Sequence, residues 1–248
     1  MSQESNMRVL VLGATGATGQ LVVRTLLQQQ HQVVALVRDT NTLNALNTEF
    51  GDLLTQIKGT ALMLSDAQLS ELVKSADGVI SCLGHNLTLK GIFGAPQMMV
   101  RDSIKRIINL NTTQRTKPLK IVLMNSSGVR NKDQHEPISI FQHLVLALLR
   151  TLLPPHRDNE QAANYLRTLD ILNANVQWVV VRPDALINQD EASDYSLFSA
   201  PIRSAIFDSG KVSRINVASA LSQLLMDSTL WKKWQGKMPL VYNAEECE

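Results

Sequence analysis

Met7-Arg-Val-Leu-Val-Leu-Gly13-Ala-Thr-Gly16-Ala-Thr-Gly19 is the stretch that decides the fold of this chain. Met7 to Leu12 is a short apolar run with β-branched residues, stopped by glycine, the profile of a central parallel strand. Ala17 to Gln29 follows with Leu21, Val22, Thr25 and Leu26 at helical spacing, and Gln32 to Val37 is a second apolar strand. Strand, glycine turn, helix and strand within about thirty residues make a βαβ unit. In that setting Gly13 permits the sharp turn, Gly16 lets backbone approach a pyrophosphate, and Gly19 allows close helix packing. Thr15, Ala17 and Thr18 complete a turn whose helix N-terminus offers unpaired N–H groups to phosphates.

The alternation continues outward from this unit. Leu54 to Lys58 reads as a weak strand, and Asp66 as the cap of a helix carrying Leu69, Leu72 and Val73. Gly78 to Leu83 is a strand, and Pro96 suits the first turn of a helix with Val100, Ile104, Ile107, Ile108 and Asn111 near one face. Lys120 to Met124 is a fifth strand. Asp158-Asn-Glu-Gln161 has capping-box spacing before Ala162, Leu166, Leu169 and Leu172, and Gln177 to Val181 is a sixth strand closed by Arg182-Pro183. Repeated βα units predict an α/β fold with a doubly wound parallel sheet, a Rossmann arrangement. Asn188 to Arg203 reads as a lid or loop, Asn216 to Met226 as helix, and Met238 to Tyr242 as a last edge strand. The expectation is a disordered lead over residues 1–6 and one domain over 7–248, with 188–248 as a C-terminal elaboration.

Composition narrows the class. The 248 residues carry 24 basic and 22 acidic side chains, a net charge of +2 that is too mild and too scattered for a nucleic-acid surface. Two cysteines, Cys82 and Cys247, exclude a disulfide framework, and no His/Cys cluster has metal-ligand spacing. The first six residues are polar and unlike a signal peptide. Ile138 to Leu153 is the most apolar stretch, but Gln142, His143 and Arg150 interrupt it, and it falls short of the roughly 20 residues of an integral membrane segment. It reads as a buried or interface helix, with a partner-binding or membrane-surface helix as the other option. A cytoplasmic location is expected.

The spacing G-x-x-G-x-x-G, with Ala35-Leu-Val-Arg38, Val79-Ile-Ser-Cys-Leu-Gly84 and Val180-Val-Arg-Pro183, resembles the short-chain dehydrogenase/reductase superfamily. It is most similar to the atypical branch that includes NmrA-like regulators and relatives of biliverdin reductase B. The resemblance runs from Met7 to about Tyr242 and implies an NAD(P)-binding Rossmann protein, with Leu83, Gly84, Asn125, Ser126 and Pro183 on the cofactor. The loop after Pro183 would pass the nicotinamide, and Arg182 would be structural, with Asp184 pairing either with it or with another base. An acid at the end of the second strand binds the ribose of NAD, whereas Arg accommodates the extra phosphate of NADP. Arg38 stands there, followed by Asp39, so NADP(H) is favoured over NAD(H).

The superfamily's Tyr-x-x-x-Lys is absent, because Tyr165 is followed four residues on by Leu169. An unassisted tyrosine is a poor proton relay near neutrality. Cys82-Leu-Gly-His-Asn86, Asn125-Ser-Ser-Gly128 and His156-Arg-Asp-Asn-Glu160 should gather at the carboxyl edge of the sheet. His85, Ser126 and His156 are therefore the candidate catalytic residues, an imidazole being suited to proton delivery. No G-x-S-x-G elbow is present. Cys82 is expected inert and Cys247 exposed. Two readings remain open: an NADPH-dependent reductase of a small organic substrate, and a dinucleotide-binding sensor, regulator or assembly factor with a protein partner or a second copy. A cofactor-retaining isomerase or dehydratase is a third, without separate support.

Overall fold

The computed structural model describes residues 6–85, 88, 93–111, 115–134, 136, 141, 145, 148 and 152–247, the side chains of 172 and 173 excepted. Strand β1 (Arg8–Leu12) pairs in parallel with β2 (Gln32–Val37) on one side and β4 (Gly78–Ser81) on the other. Val9, Leu10 and Val11 have no exposed surface, so both faces of β1 are covered and its apolar run needs no alternation. With β3 (Leu54–Lys58), β5 (Leu119–Met124), β6 (Val176–Pro183), β8 (Tyr195–Phe198) and β10 (Leu240–Asn243), the sheet order is β3-β2-β1-β4-β5-β6-β10-β8. Among the described residues only the β10–β8 pair is antiparallel. Two further strands, β7 (Ala185–Ile187) and β9 (Lys211–Ser213), form a separate parallel pair.

Helices cover both faces, the short α2 (Asn44–Phe50) among them through buried Leu46. Val22, Val23, Leu26 and Leu27 of α1 (Ala17–Gln28) join Val9 and Val11 in one core. So do Val217, Leu221, Leu224 and Leu225 of the helix Arg214–Met226. The opposite core holds Leu10, Leu12 and residues of α3 (Asp66–Ser75), α4 (Met99–Leu110) and α5 (Pro154–Arg167), among them Leu69, Ile104, Ile107 and Leu166. Side chains alternate across the strand, which is why neighbours Val9 and Leu10 fall in different cores. This is the doubly wound parallel sheet of a Rossmann fold.

Several local expectations are corrected. Ser65, not Asp66, caps α3: its hydroxyl accepts from Gln68 N at 3.3 Å while Gln68 Oε1 accepts from Ser65 N at 3.1 Å. Asp66 is the first helical residue and pairs with Arg106 at 2.6 Å. Helix α4 starts at Met99, so Pro96 lies outside its first turn, and the N1 proline is instead Pro154 of α5. Because α5 starts there, Asp158 is inside the helix and its carboxylate is directed elsewhere. Helix α5 stops at Arg167, with Leu169 beyond it. The separate short helix Ile171–Ala174 carries Leu172, whose side chain lies outside the described residues.

Strand β4 ends at Ser81 rather than Leu83, and β6 runs from Val176 through Pro183. Asn188 to Arg203 is not all loop, since β8 within it takes the sheet edge. Residues Leu240–Asn243 form no edge strand but lie between β6 and β8, all four buried. The expected lead falls on residues 1–5, outside the described residues, apart from Asn6. Most of the apolar segment 138–153 lies outside them too. Of its described members, Phe141, Leu148 and Leu152 are exposed, at 64, 56 and 57%, and Val145 and Leu153 are half-buried. Among the described residues no helix is long and apolar enough to cross a membrane.

Candidate active site

Leu12, Ser81, Leu123 and Val180 stand in register across four neighbouring strands, so their exits form one line along the carboxyl edge. The first exit is the glycine turn. Gly13 has φ +70°, and a Cβ there would sit 2.6 Å from the carbonyl oxygen of Cys82. A Cβ on Gly19 would lie 2.0 Å from the carbonyl oxygen of Gly13, so helix and turn can touch only where both residues are bare. Gly16 is the exposed N-cap of α1, and its N–H donates to Gly13 O at 3.0 Å. It offers no side-chain cap, and the first turn holds no acidic residue. The N–H groups of Ala17, Thr18 and Gly19 have no carbonyl of their own helix to bond. Thr15 is half-buried, its carbonyl accepting from Gln20 Nε2 at 2.9 Å, and Thr18 is buried. An uncovered helix end without competing carboxylates fits a dinucleotide pyrophosphate.

Arg38 and Asp39, both exposed, follow β2. Asp39 Oδ1 accepts from Asn41 N at 3.0 Å and caps the turn Thr40–Leu43. Cys82 N donates to Leu12 O at 2.9 Å, tying the β4 exit to the glycine turn, with Leu83 half-buried and Gly84 exposed behind it. The Cys82 residue is only half-buried, yet desolvation pushes its thiol up to about 12. It is therefore protonated and inert at neutral pH.

Helix α5 is the hub for the remaining candidates. His85 Nε2 meets Asp158 Oδ2 at 2.9 Å, and Asp158 has no exposed side-chain surface. The same carboxylate accepts the N–H groups of Val100 and Arg101, at 2.8 and 2.9 Å. Asn125 Nδ2 donates to Asn159 O at 2.9 Å, and Asn125 Oδ1 accepts from Ser126 N at 2.9 Å. Beside Ser126, a Cβ on Gly128 would sit 3.7 Å from Ser126 Oγ and 3.6 Å from the His156 ring. Ser126 and His156 thus flank one small space. His156 Nε2 also lies 3.8 Å from Glu160. One helix therefore reaches both histidines, holding His85 through Asp158 and carrying His156 beside Ser126.

Arg182 is fully buried, but its partner is not Asp184. Its guanidinium meets Glu136 through two nitrogens, at 2.7 and 3.1 Å, and donates to the carbonyls of Met238 and Val129. Glu136, 1% exposed, also accepts from Asn131 N. Asp184 accepts from Ser127 Oγ at 2.9 Å and Gly210 N at 3.0 Å instead. Burial raises its carboxyl above 3.8, against the lowering by those hydrogen bonds. Pro183 is buried, and its carbonyl accepts from Ser127 N at 2.9 Å. Sequence reasoning named Asp158 only as a local cap, and it missed Glu136 and the true partners of Asp184. Only the general rule that a buried Arg needs an acid pointed toward any of them. Among the described residues no His/Cys/Asp/Glu group could hold a metal.

The fold and the glycine turn define a nicotinamide-dinucleotide-binding Rossmann protein. The chain belongs to the NAD(P)H-binding family, whose description matches residues 13–228. It is similar to an Arabidopsis thaliana protein named as probable pinoresinol-lariciresinol reductase 3, at 29% identity over 106 residues. That match takes 43% of this chain and only 34% of the relative, so the chain spans about a third of it. Among solved structures, a wide-type short-chain dehydrogenase/reductase from Veillonella parvula in complex with NADP superposes with a TM-score of 0.66 at 18% identity, covering 97% of this chain and 96% of that one. An anaerobillin reductase from Escherichia coli O157:H7 gives 0.66 at 16% identity, over 96% and 98%. Both likenesses are of the fold, carried over nearly the whole of each chain.

Proposed function

We propose that the protein is an NADPH-dependent reductase of a small organic acceptor. The carrying observation is at the end of β2, where Asp39 spends a carboxylate oxygen capping its own turn while exposed Arg38 enters no hydrogen bond or ion pair among the described residues. A guanidinium so placed suits the extra phosphate of NADP(H). Gly13, Thr15, Gly16, Ala17, Thr18 and Gly19 would hold the pyrophosphate. Leu83, Gly84, Asn125, Ser126 and Pro183 would line the ribose and nicotinamide along the strand exits. The bound cofactor supplies the hydride, and the protein supplies orientation and a proton. His85, Ser126 and His156 are the groups of this chain assigned to the acceptor. The reductases among its relatives support the same reaction class.

The chain from residue 7 acts in this reading as one unit, residues 188–248 closing the far end of the sheet. Phe141 and Phe207 stack at 5.5 Å though both are more than half exposed, and Gly210, three residues on, holds Asp184. Such a rim suits an apolar, planar acceptor. Thermal shift and calorimetry with NADPH and NADH test the cofactor. Arg38→Ala is expected to cost NADPH about tenfold in affinity and NADH almost nothing; equal losses for both would overturn the assignment. NADPH oxidation against quinones, flavins, aldehydes and ketones tests turnover. The non-catalytic sensor is the second reading, favoured by Tyr165, which has no lysine four residues on and whose hydroxyl burial pushes further up. It prevails if NADPH binds and no acceptor is reduced.

A further inference from the structure

Helix α5 has two working sides. Asp158 and Gln161 turn toward α4, where they meet Val100 and Arg101. Glu160, Asn164 and Arg167, at the i, i+4, i+7 spacing of one stripe, line a cavity together with Arg130 and Lys132 of the loop after β5. Its volume is about 60 Å³. That is roughly four times the ~15 Å³ a single water requires, enough for a carboxylate or a tetrahedral oxyanion and too little for a dinucleotide. The cations here are poorly matched by acids. Glu136 gives Arg130 only its backbone carbonyl, at 2.9 Å, because its carboxylate is bound to Arg182 and to Asn131 N. Lys132 is exposed and enters no hydrogen bond or ion pair among the described residues. Arg167 meets Asp133, whose side chain is 56% exposed, and donates to Asn164 Oδ1 at 2.9 Å. Arg130 Nε and Arg167 Nε are both buried without an acceptor, a costly state for a charged donor. Glu160 is the one carboxylate in the lining. It stands 3.8 Å from His156 Nε2, and two helical turns, roughly 10 Å, separate it from Arg167.

We propose that this cavity is a second anion site, which takes one small oxyanion, the carboxylate or phosphate group of an organic acid or ester, between Arg130, Lys132 and Arg167. It is separate from the glycine turn and stands whichever reading of the strand exits holds. The chemistry of the lining selects the ligand. Guanidinium and ammonium groups donate and cannot accept, and Asn164, its oxygen already taken by Arg167, has only its Nδ2 donors left to offer. An arginine fork suits the planar edge of a carboxylate or two oxygens of a phosphate, and the lysine adds a point charge. Arg167 can exchange Asp133 for the ligand at little cost, since an exposed pair contributes little. Glu160 repels an anion from the His156 end and so leaves the Arg130–Arg167 end as its seat. The loop is held ready for this role. Asn131 N is bound to Glu136, Asp133 N to Asn131 Oδ1, and Glu136 to buried Arg182, so Arg130 and Lys132 leave a backbone that is already fixed.

Inorganic phosphate and acetate are the probes, titrated into the full chain with NADPH or NADH, whichever binds, at saturation. The dinucleotide fills the glycine turn, so a further anion site is read apart from it. Backbone nitrogen–proton spectra should show saturable shifts at Lys132, Asn164 and Arg167 that sodium chloride at matched ionic strength does not reproduce. Arg130→Gln is expected to weaken binding about tenfold or more, the effect of losing a charged hydrogen bond. Lys132→Gln should weaken it about two- to fivefold. Lys132 is exposed and holds nothing in place, so its variant keeps the test alive if Arg130→Gln fails to fold. Shifts from both probes support the oxyanion site as stated. Phosphate alone narrows the ligand to a phosphate ester, and acetate alone to an organic acid. The site is overturned if neither probe moves these amides, if chloride moves them equally, or if shifts are confined to Gly13–Gly19 and Arg38. An affinity indifferent to both substitutions overturns it as well.

Discussion

The two ends of the strand-exit line are built on different physics. At the β1 end the chain is shaped by what is missing: side chains at 13 and 19 would collide with backbone at 2.6 and 2.0 Å. At the β5–β6 end it is shaped by buried charge. Arg182 is bound to Glu136 and Asp184 to Ser127 and Gly210, while Asp158 under the neighbouring β4 exit ties His85 to α4. The first solution is steric, its glycines inside seven residues and its one distant contact the Cys82 backbone. The second is distant and electrostatic, because a desolvated charge must find a partner wherever the fold supplies one.

The sharpest way to break this contrast is to remove one charge. Glu136→Ala should cost about 3–5 kcal/mol in urea unfolding, because Arg182 is left charged and dry. A loss below about 1 kcal/mol would mean the pair is not what anchors that end. At the steric end, Gly19→Ala is expected to cost about 1–3 kcal/mol and to abolish dinucleotide binding, since its Cβ meets backbone that cannot yield. Gly16→Ala separates the two effects. Its Cβ meets only Gly13 O, at 3.3 Å, so the melting temperature should barely move while NADPH affinity drops. Stability and affinity falling in step in both variants would remove the distinction between packing glycine and ligand-facing glycine.

Two smaller effects sharpen the electrostatic end. Burial raises the Asp184 carboxyl above 3.8, so the native state binds that proton more tightly than the unfolded chain. Its contribution to stability is full below 3.8 and is lost as pH rises through the raised native value. Urea midpoints measured from acid to neutral pH should show this decline, and Asp184→Asn should flatten it; identical profiles would sink the claim. Smallest is the thiol test. Cys82, pushed up to about 12, should resist a disulfide reagent in the native protein at mildly alkaline pH. Exposed Cys247 should react first, and a Cys82 that reacts equally fast contradicts the desolvated thiol.

The same contrast explains what the sequence could reveal. The βαβ unit was legible because Met7 to Val37 carries period, glycine spacing and turn chemistry within one window. Helix starts were legible only where the cap is local, and even there Ser65 was passed over for its charged neighbour Asp66. The start of α4 could not be read at all, since its cap stands at Asp158 and Pro96 offered a plausible but wrong alternative. The Arg182–Glu136 pair was half visible: a buried arginine was expected, but its acid lies 46 residues away rather than two. Tyr195–Phe198 is short and half-buried throughout, with no alternation to mark it as a strand. Non-local pairing leaves no periodic trace in a single sequence.

Strand β10 carries one more consequence. Among the described residues it is the one partner of β8 in the main sheet, and it reaches the ribosome exit long after Tyr195–Phe198 has emerged. During synthesis the β8 segment must wait, its backbone amides and carbonyls bound to water, while strands β3 to β6 are already out and the helix Arg214–Met226 that completes one core is still to come. The nascent chain therefore passes through a stage with the glycine turn assembled and the β6 edge bare, a template open to any other extended chain. Arrival of Leu240–Asn243 covers that edge and recruits β8 in the same event. Late amide protection at both strands, appearing together in pulse-labelled refolding, would be the kinetic signature of this order.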